Sequence, residues 1–206
     1  MPAPTDLDLV RRWTAAELRA LQDALPPDDR TRYELIDGEL IVSSSPSWKH
    51  QRAVALLWRA LDDYVRPAGL GEVVVSPADL EPEAGHVTQR DLFVVPESER
   101  GIDAQWADIH RLLVAIEVLS PSTARHDRRT KRRYYQRNGV PEYWIVDLDA
   151  RVVERWRPDD AFRPEVLDEQ LVWHADGAAT PFTLDLPSYF ADVHGEPRGA
   201  ASEPPR

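Results

Sequence analysis

Cysteine is absent from the 206-residue chain, which excludes disulfides and thiolate metal sites. No apolar run approaches the roughly 18 residues of a membrane-spanning helix, so no membrane association is expected. The first residues, MPAPTDLDLV, carry neither a basic nor an apolar stretch. They do not read as a secretory signal, and the expected location is cytoplasmic. A glycine-rich phosphate loop, a GxSxG elbow and an HExxH pair are all missing. The six histidines, at 50, 86, 110, 126, 174 and 194, include no pair at zinc-ligand spacing. Lysine is scarce as well: of 25 basic residues, all but Lys49 and Lys131 are arginine. Arginine stays protonated, whereas a lysine can be tuned. Lys131, set among five arginines, therefore points to a need for the ammonium itself, with chance placement as the competing reading.

What is present is an ordinary globular balance, 42% hydrophobic and 30% charged. The length suits one domain, expected over residues 1–194, with a core large enough to need no staples. Residues 195–206 (GEPRGAASEPPR) are rich in Pro, Gly and Ala and read as a disordered tail. A net charge of −11 argues against a protein that coats nucleic acid through its overall field, but leaves room for a local site. The run RHDRRTKRR (125–133) holds six basic side chains against one acid. A solvated helix face is its competing reading.

Local signals divide the chain. Thr14 and Glu17 form a capping-box pattern ahead of a short helix with Leu18, Leu21 and Leu25 on one face, ended by Pro26 and Pro27. In YELIDGELIV (33–42), Asp37-Gly38 between two apolar runs predicts a hairpin. From 47 to 65, Trp48, Val54, Leu57, Trp58, Leu61, Tyr64 and Val65 recur at helical spacing and predict a long amphipathic helix ended near Pro67. Four hydrophobic runs then carry a sheet: GEVVVS (71–76), DLFVV (91–95), LLVAIEVLS (112–120) and EYWIVD (142–147). LLVAIEVL is apolar almost throughout, as a strand covered on both faces would be. Between the last two runs lies a helix over about 123–138, entered through the turn SPST (120–123) and stopped by Gly139. The order is helix, three strands, helix, strand. RVVERWRP, FRPEVLDEQLVWH and PFTLDLPSYF, after Asp147, read as an edge hairpin and a peripheral strand, and such edges offer a surface for a homodimer. The polar stretch 96–110 reads as a mobile loop.

Two carboxylates, Asp91 and Glu117, stand on separate strands. A carboxylate inside AIEVL is costly unless it is paired or bound to a metal. Adjacent strands lie about 4.8 Å apart, so acids on one face at matching height can share a cation. Oxygen ligands suit Mg²⁺ or Mn²⁺, with water and a substrate phosphate completing the shell. On the helix, Asp127, Lys131 and Tyr134 or Tyr135 share a face, which can bring Lys131 to the acids if it turns toward the strand ends. The alternatives are a solvated, strand-initiating Asp91 and an exposed Asp127–Lys131 pair. Glu34, in the hairpin, is a third candidate acid or else a surface one, and Asp79 reads as a turn residue. His50 reads as structural or close to the site. An acid on each of two neighbouring strands with a lysine nearby is what a metal-dependent phosphodiester hydrolase needs.

Taken in order, YELIDGELIV, the following helix with His50, RDLFVV, AIEVLSPST, Lys131 with Tyr135, and NGVPEYWIVD resemble the Uma family of putative restriction endonucleases, within the PD-(D/E)XK nuclease superfamily. The resemblance covers about 33–156. It implies a restriction-endonuclease-like α/β fold with a mixed central sheet and an N-terminal hairpin, whose core order of helix, three strands, helix, strand agrees with the order above. It also implies that Asp91 is the acid of the PD element and Glu117 the acid of the second element. Two positions depart from the pattern: Arg90 replaces the proline before the acid, and Leu119 replaces the lysine two residues after Glu117. By the resemblance the lysine comes instead from the following helix, as Lys131.

The expected function is hydrolysis of DNA phosphodiester bonds by a Mg²⁺- or Mn²⁺-dependent endonuclease. Asp91 and Glu117 would hold the metal, with Glu34 completing the site. Lys131 would orient water or steady the phosphate charge. Arg125, Arg128, Arg129 and Arg132, with Arg133, would contact the DNA backbone. The rivals are a non-catalytic nucleic-acid-binding or assembly module on the same fold, and a hydrolase of another phosphate ester. No separate recognition domain is visible, so sequence-specific cutting is not expected.

Overall fold

The computed structural model describes residues 11–26, 28, 29, 31–75, 86–99 and 109–197. Asp79, positions 100–108 of the expected loop and positions 198–206 of the expected tail lie outside them. Helix α1 (Ala15–Ala24) opens with the expected capping box, in which the Glu17 N–H donates to Thr14 Oγ1 and the Thr14 N–H to the Glu17 carboxylate. Strands β1 (Arg32–Ile36) and β2 (Glu39–Ser43) pair antiparallel through a two-residue turn. Its Asp37 and Gly38 both have positive φ, 52° and 76°, as a tight right-twisted hairpin demands. Helix α2 (Trp48–Val65), capped by the Ser47 hydroxyl, follows.

The central sheet has six strands in the order β3 (Gly71–Val75), β4 (Leu92–Pro96), β5 (Val114–Val118), β6 (Tyr143–Asp147), β7 (Val152–Trp156) and β8 (Glu165–Leu167). β5 and β6 are parallel and the other neighbours antiparallel, so the sheet is mixed. Helix α3, over 124–137, is the crossover that a parallel pair requires. The helix, three strands, helix, strand order is thus the observed one. A separate ribbon of β9 (Gln170–Trp173) and β10 (Phe182–Asp185) leads into α4 (Leu186–His194).

Alternation along the strands assigns every residue a layer. Leu92, Val94, Ile116, Val118, Trp144 and Val146 face α2 and α4, where Trp144 is fully buried and meets Trp173 edge-on at 5.7 Å. Phe93, Val95, Ala115, Tyr143 and Ile145 face the other way, against Tyr134 and Tyr135 of α3 and Ile36 and Ile41 of the hairpin. In β1, Tyr33 and Leu35 join a third cluster with Leu18 of α1. That leaves Arg32 and Glu34, the alternate residues, facing inward.

Two sequence expectations are corrected. PFTLDLPSYF was read as strand throughout, but it divides into β10 and α4 at Asp185, whose carboxylate caps the Ser188 N–H ahead of a proline in the first turn. Leu186, Tyr189, Phe190 and Val193 then pack as a helical face, and the Tyr189 hydroxyl donates to the Ala53 carbonyl of α2. Trp48 was placed on the apolar face of α2, yet it is 82% exposed. Nine residues before Leu57 is about two and a half turns, which puts Trp48 on the side opposite Leu57.

Gly71 lies where β3 passes β4: its φ is +152°, and a Cβ there would sit 1.9 Å from the Val95 carbonyl oxygen. Gly71→Ala is therefore expected to push β3 off β4 and lower unfolding stability by about 3 kcal/mol in urea denaturation. Faster amide exchange in β3 and β4 should accompany the loss, and wild-type stability would refute it.

Candidate active site

The register of β4 and β5 sets the centre of the site. Leu92 pairs with Ile116, so Asp91, one residue before β4, stands opposite Glu117 and on the same face. Both are buried, at 4% and 3% exposure. Asp91 is held on every side. Its Oδ1 accepts from Arg32 Nη1 (2.7 Å), and its Oδ2 accepts the Val118 N–H (2.9 Å) and lies 3.1 Å from His50 Nε2. The same His50 nitrogen is 3.0 Å from the Val118 carbonyl oxygen. Because Nε2 faces two acceptors, it carries the proton and donates to both. His50 is thus a member of the site, brought there by the first turn of α2.

Glu117 Oε1 accepts from Lys131 Nζ (3.1 Å) and from the Tyr135 hydroxyl (3.2 Å), while its Oε2 accepts from neither. Lys131 Nζ also lies 2.8 Å from Glu34 Oε2 and 3.4 Å from Asp127 Oδ1. Glu34 is anchored in turn by the Gln89 N–H on Oε1 (2.9 Å), next to the isolated antiparallel bridge between Leu35 and Val87. The Asp127–Lys131 pair is thus buried, at 1% and 2% exposure, not an exposed pair. Local helix geometry permits it: Asp127–Lys131 is a π-helical turn inside α3. That wider turn, common at functional sites, carries Asp127, Lys131, Tyr134 and Tyr135 all to the buried side.

Electrostatics follow from this crowding. Burial penalises the Asp91 carboxylate, but the His50 hydrogen bond and the Arg32 guanidinium outweigh it and hold the group below the usual carboxylate range. Burial pushes Glu117 well up; Lys131 offsets only part of that, and Asp91, Asp127 and Glu34 add repulsion. Burial disfavours the Lys131 ammonium, yet Glu117, Glu34 and Asp127 together raise it well above an ordinary lysine. Lys131 is therefore a fixed cation. Four carboxylates (Asp91, Glu117, Glu34, Asp127) thus gather around two permanent cations, Lys131 and Arg32, and burial raises Asp127 as well as Glu117, so these two acids are the most easily protonated.

Arg32, Glu34, His50, Asp91, Glu117 and Lys131 floor a cleft of about 660 Å³ at the carboxyl ends of the parallel strands β5 and β6. Its rims are the serine-rich stretches 43–47 and 120–123, which lead into α2 and α3, so the N-termini of both helices open on it. Lys49 and Arg128 line it too, which brings both lysines of the chain to one cleft. Arg128 is shared with Asp147 Oδ2 (2.8 Å) and Glu154 Oε1 (2.7 Å by Nε). Arg132 does not line the cleft; it lies 4.5 Å over the Trp156 ring and donates to the Ala161 carbonyl. Arg125, Arg129 and Arg133 are exposed. Among the described residues, no three His, Asp or Glu side chains converge with the geometry of a metal site.

Sequence reasoning missed Arg32, Lys49 and Arg90. Arg32 was findable, since it stands two residues before Glu34 on one strand and so shares its face. Lys49 is the neighbour of His50. Arg90, at 2% exposure, stacks 5.0 Å from the Tyr135 ring that supports Glu117; nothing local in the sequence marks it.

Lys131→Ala is expected to leave three buried carboxylates without their ammonium and to lower stability by about 3–5 kcal/mol in denaturant unfolding. A loss under about 1 kcal/mol would mean that the cluster is already protonated or hydrated.

One solved structure with this fold is described as a putative nuclease belonging to DUF820 from Anabaena variabilis. It is 22% identical, with a TM-score of 0.69 over 88% of this chain and 99% of that one. At that identity the likeness shows the fold. Among curated proteins no sequence matches. The model of the Uma2 family, described as "Putative restriction endonuclease", matches residues 16–187, most of the chain, and the protein belongs to that family.

Proposed function

We propose that the protein is a metal-dependent endonuclease acting on DNA phosphodiester bonds. One observation carries the reading: Asp91 and Glu117 oppose each other, buried, at the floor of an open cleft, with the Lys131 ammonium on Glu117. The arrangement accords with the PD-(D/E)XK pattern, with Lys131 standing in for the lysine absent at Leu119. The donor set, carboxylate oxygens without thiolate, suits Mg²⁺ or Mn²⁺, and a divalent cation would favour the ionised form of Glu117 that burial disfavours. Asp91 and Glu117 would hold that cation, and Glu117 Oε2 is the atom that Lys131 and Tyr135 leave available. When bound, such an ion activates water and neutralises charge on the phosphate.

The residues of the chain supply the rest. Arg32, His50 and the Val118 N–H keep Asp91 ionised and in one orientation. Lys131, which stays an ammonium, accepts no proton; it pins Glu117 and Glu34 and presents positive charge where a phosphate gains negative charge. Glu34 has both oxygens engaged and acts as a positioning acid. Lys49, Arg128 and the two helix N-termini draw a phosphate to the cleft, and Arg125 and Arg129 contact the backbone beyond it. Arg132, turned onto Trp156, supports α3 instead.

Supercoiled plasmid and single-stranded DNA should be cut with Mg²⁺ or Mn²⁺ and left intact with EDTA. Asp91→Asn and Glu117→Gln should each lower the rate by about 100-fold or more. Cutting that survives both substitutions would sink the proposal. Mn²⁺ should also raise the melting temperature of the wild type and leave Glu117→Gln unchanged, because ligand binding to the folded state stabilises it. A non-catalytic DNA-binding module is the second reading, favoured by the engagement of both Asp91 oxygens. Metal-independent binding with no cutting, unaltered by Asp91→Asn, would select it.

A further inference from the structure

Trp48 is the first residue of α2 and is 82% exposed, whereas Trp13, Trp144, Trp156 and Trp173 are buried. Among the described residues it has no hydrogen-bond or ring partner, and its chain neighbours Ser47, Lys49 and His50 all line the cleft. The first turn of α2 carries no acid, so the Ser47-capped positive end of an 18-residue helix and the Lys49 side chain lie next to the indole in the chain. An exposed flat ring whose chain neighbour is a lysine, adjoining residues that line the cleft of Asp91 and Glu117, is the combination that stacks a base and grips its phosphate.

We infer that Trp48 and Lys49 form a stacking platform for an unpaired nucleobase, and that the substrate enters as single-stranded or locally unpaired DNA. The inference rests on the nuclease reading and names its substrate class. In a duplex both faces of a base are covered by its neighbours, whereas an unpaired base offers a face to the indole. Lys49 then meets the adjoining phosphate, and the strand passes from the rim toward Asp91 and Glu117.

The test uses the full-length protein with labelled oligonucleotides in EDTA, comparing wild type with Trp48→Ala, Trp48→Phe and, as an exposed aromatic elsewhere, Phe162→Ala. Fluorescence anisotropy should show Trp48→Ala weakening single-strand binding about tenfold, with Trp48→Phe keeping most of it. Binding of a blunt duplex should change less than twofold, and Phe162→Ala should match wild type. Equal weakening for single strand and duplex, or none for either, overturns the platform. Plasmid cleavage separates the two readings: cutting lost with Glu117→Gln while Trp48→Ala binds normally removes the platform and keeps the nuclease. If wild type binds and cuts no DNA, both readings fall.

Discussion

A buried ammonium held by three carboxylates organises this molecule. Lys131 joins Glu34 of the hairpin, Glu117 of the central strand and Asp127 of its own helix, so three separately formed elements meet at one nitrogen. Such an arrangement is costly to desolvate, and a hydrophobic cluster of equal volume would stabilise the fold at least as well. The lysine holds acidic groups near one another that would otherwise repel, and it offsets part of the burial that pushes Glu117 toward its protonated form.

The sheet makes this cluster accessible. β5 and β6 run parallel, so both end at the same edge, where the chain must leave for α3 and for the turn before β7. Alternation divides the strands cleanly: Val118 and Ile116 build the core under α2, and Glu117 between them points to the α3 side. α2 closes the site from the opposite face because its first turn reaches past the end of the sheet, where His50 binds both Asp91 and the Val118 carbonyl. The apolar layers thus act as the frame that holds charged groups in fixed positions, as a preorganised site requires.

Much of the fold was legible in local rules. The Thr14 capping box, the Asp37-Gly38 turn, the stop at Gly139 and the order of helix and strands each rest on interactions within a few residues, and the structure contains all of them. The misreadings came where two local signals competed. Residues 181–190 carry β-favouring residues and a helix start at Asp185, and packing against α2 decided for the helix. Trp48 looked like core by hydrophobicity and proved exposed by phase.

By itself the sequence determined that two acids stand on neighbouring strands, that a lone lysine stands on the helix between parallel strands, and that the elements follow a nuclease-like order. All of this depends on residue type and spacing. Only the tertiary structure decided that Asp127 and Lys131 are buried, that Arg32 rather than the arginine-rich run partners Asp91, and that both lysines share a cleft. Those facts depend on how a hairpin at 32–43 docks against strands some sixty residues away and on a π turn that rotates one helix face inward. Docking and helix phase arise from long-range packing, to which the free energy of no single segment is sensitive.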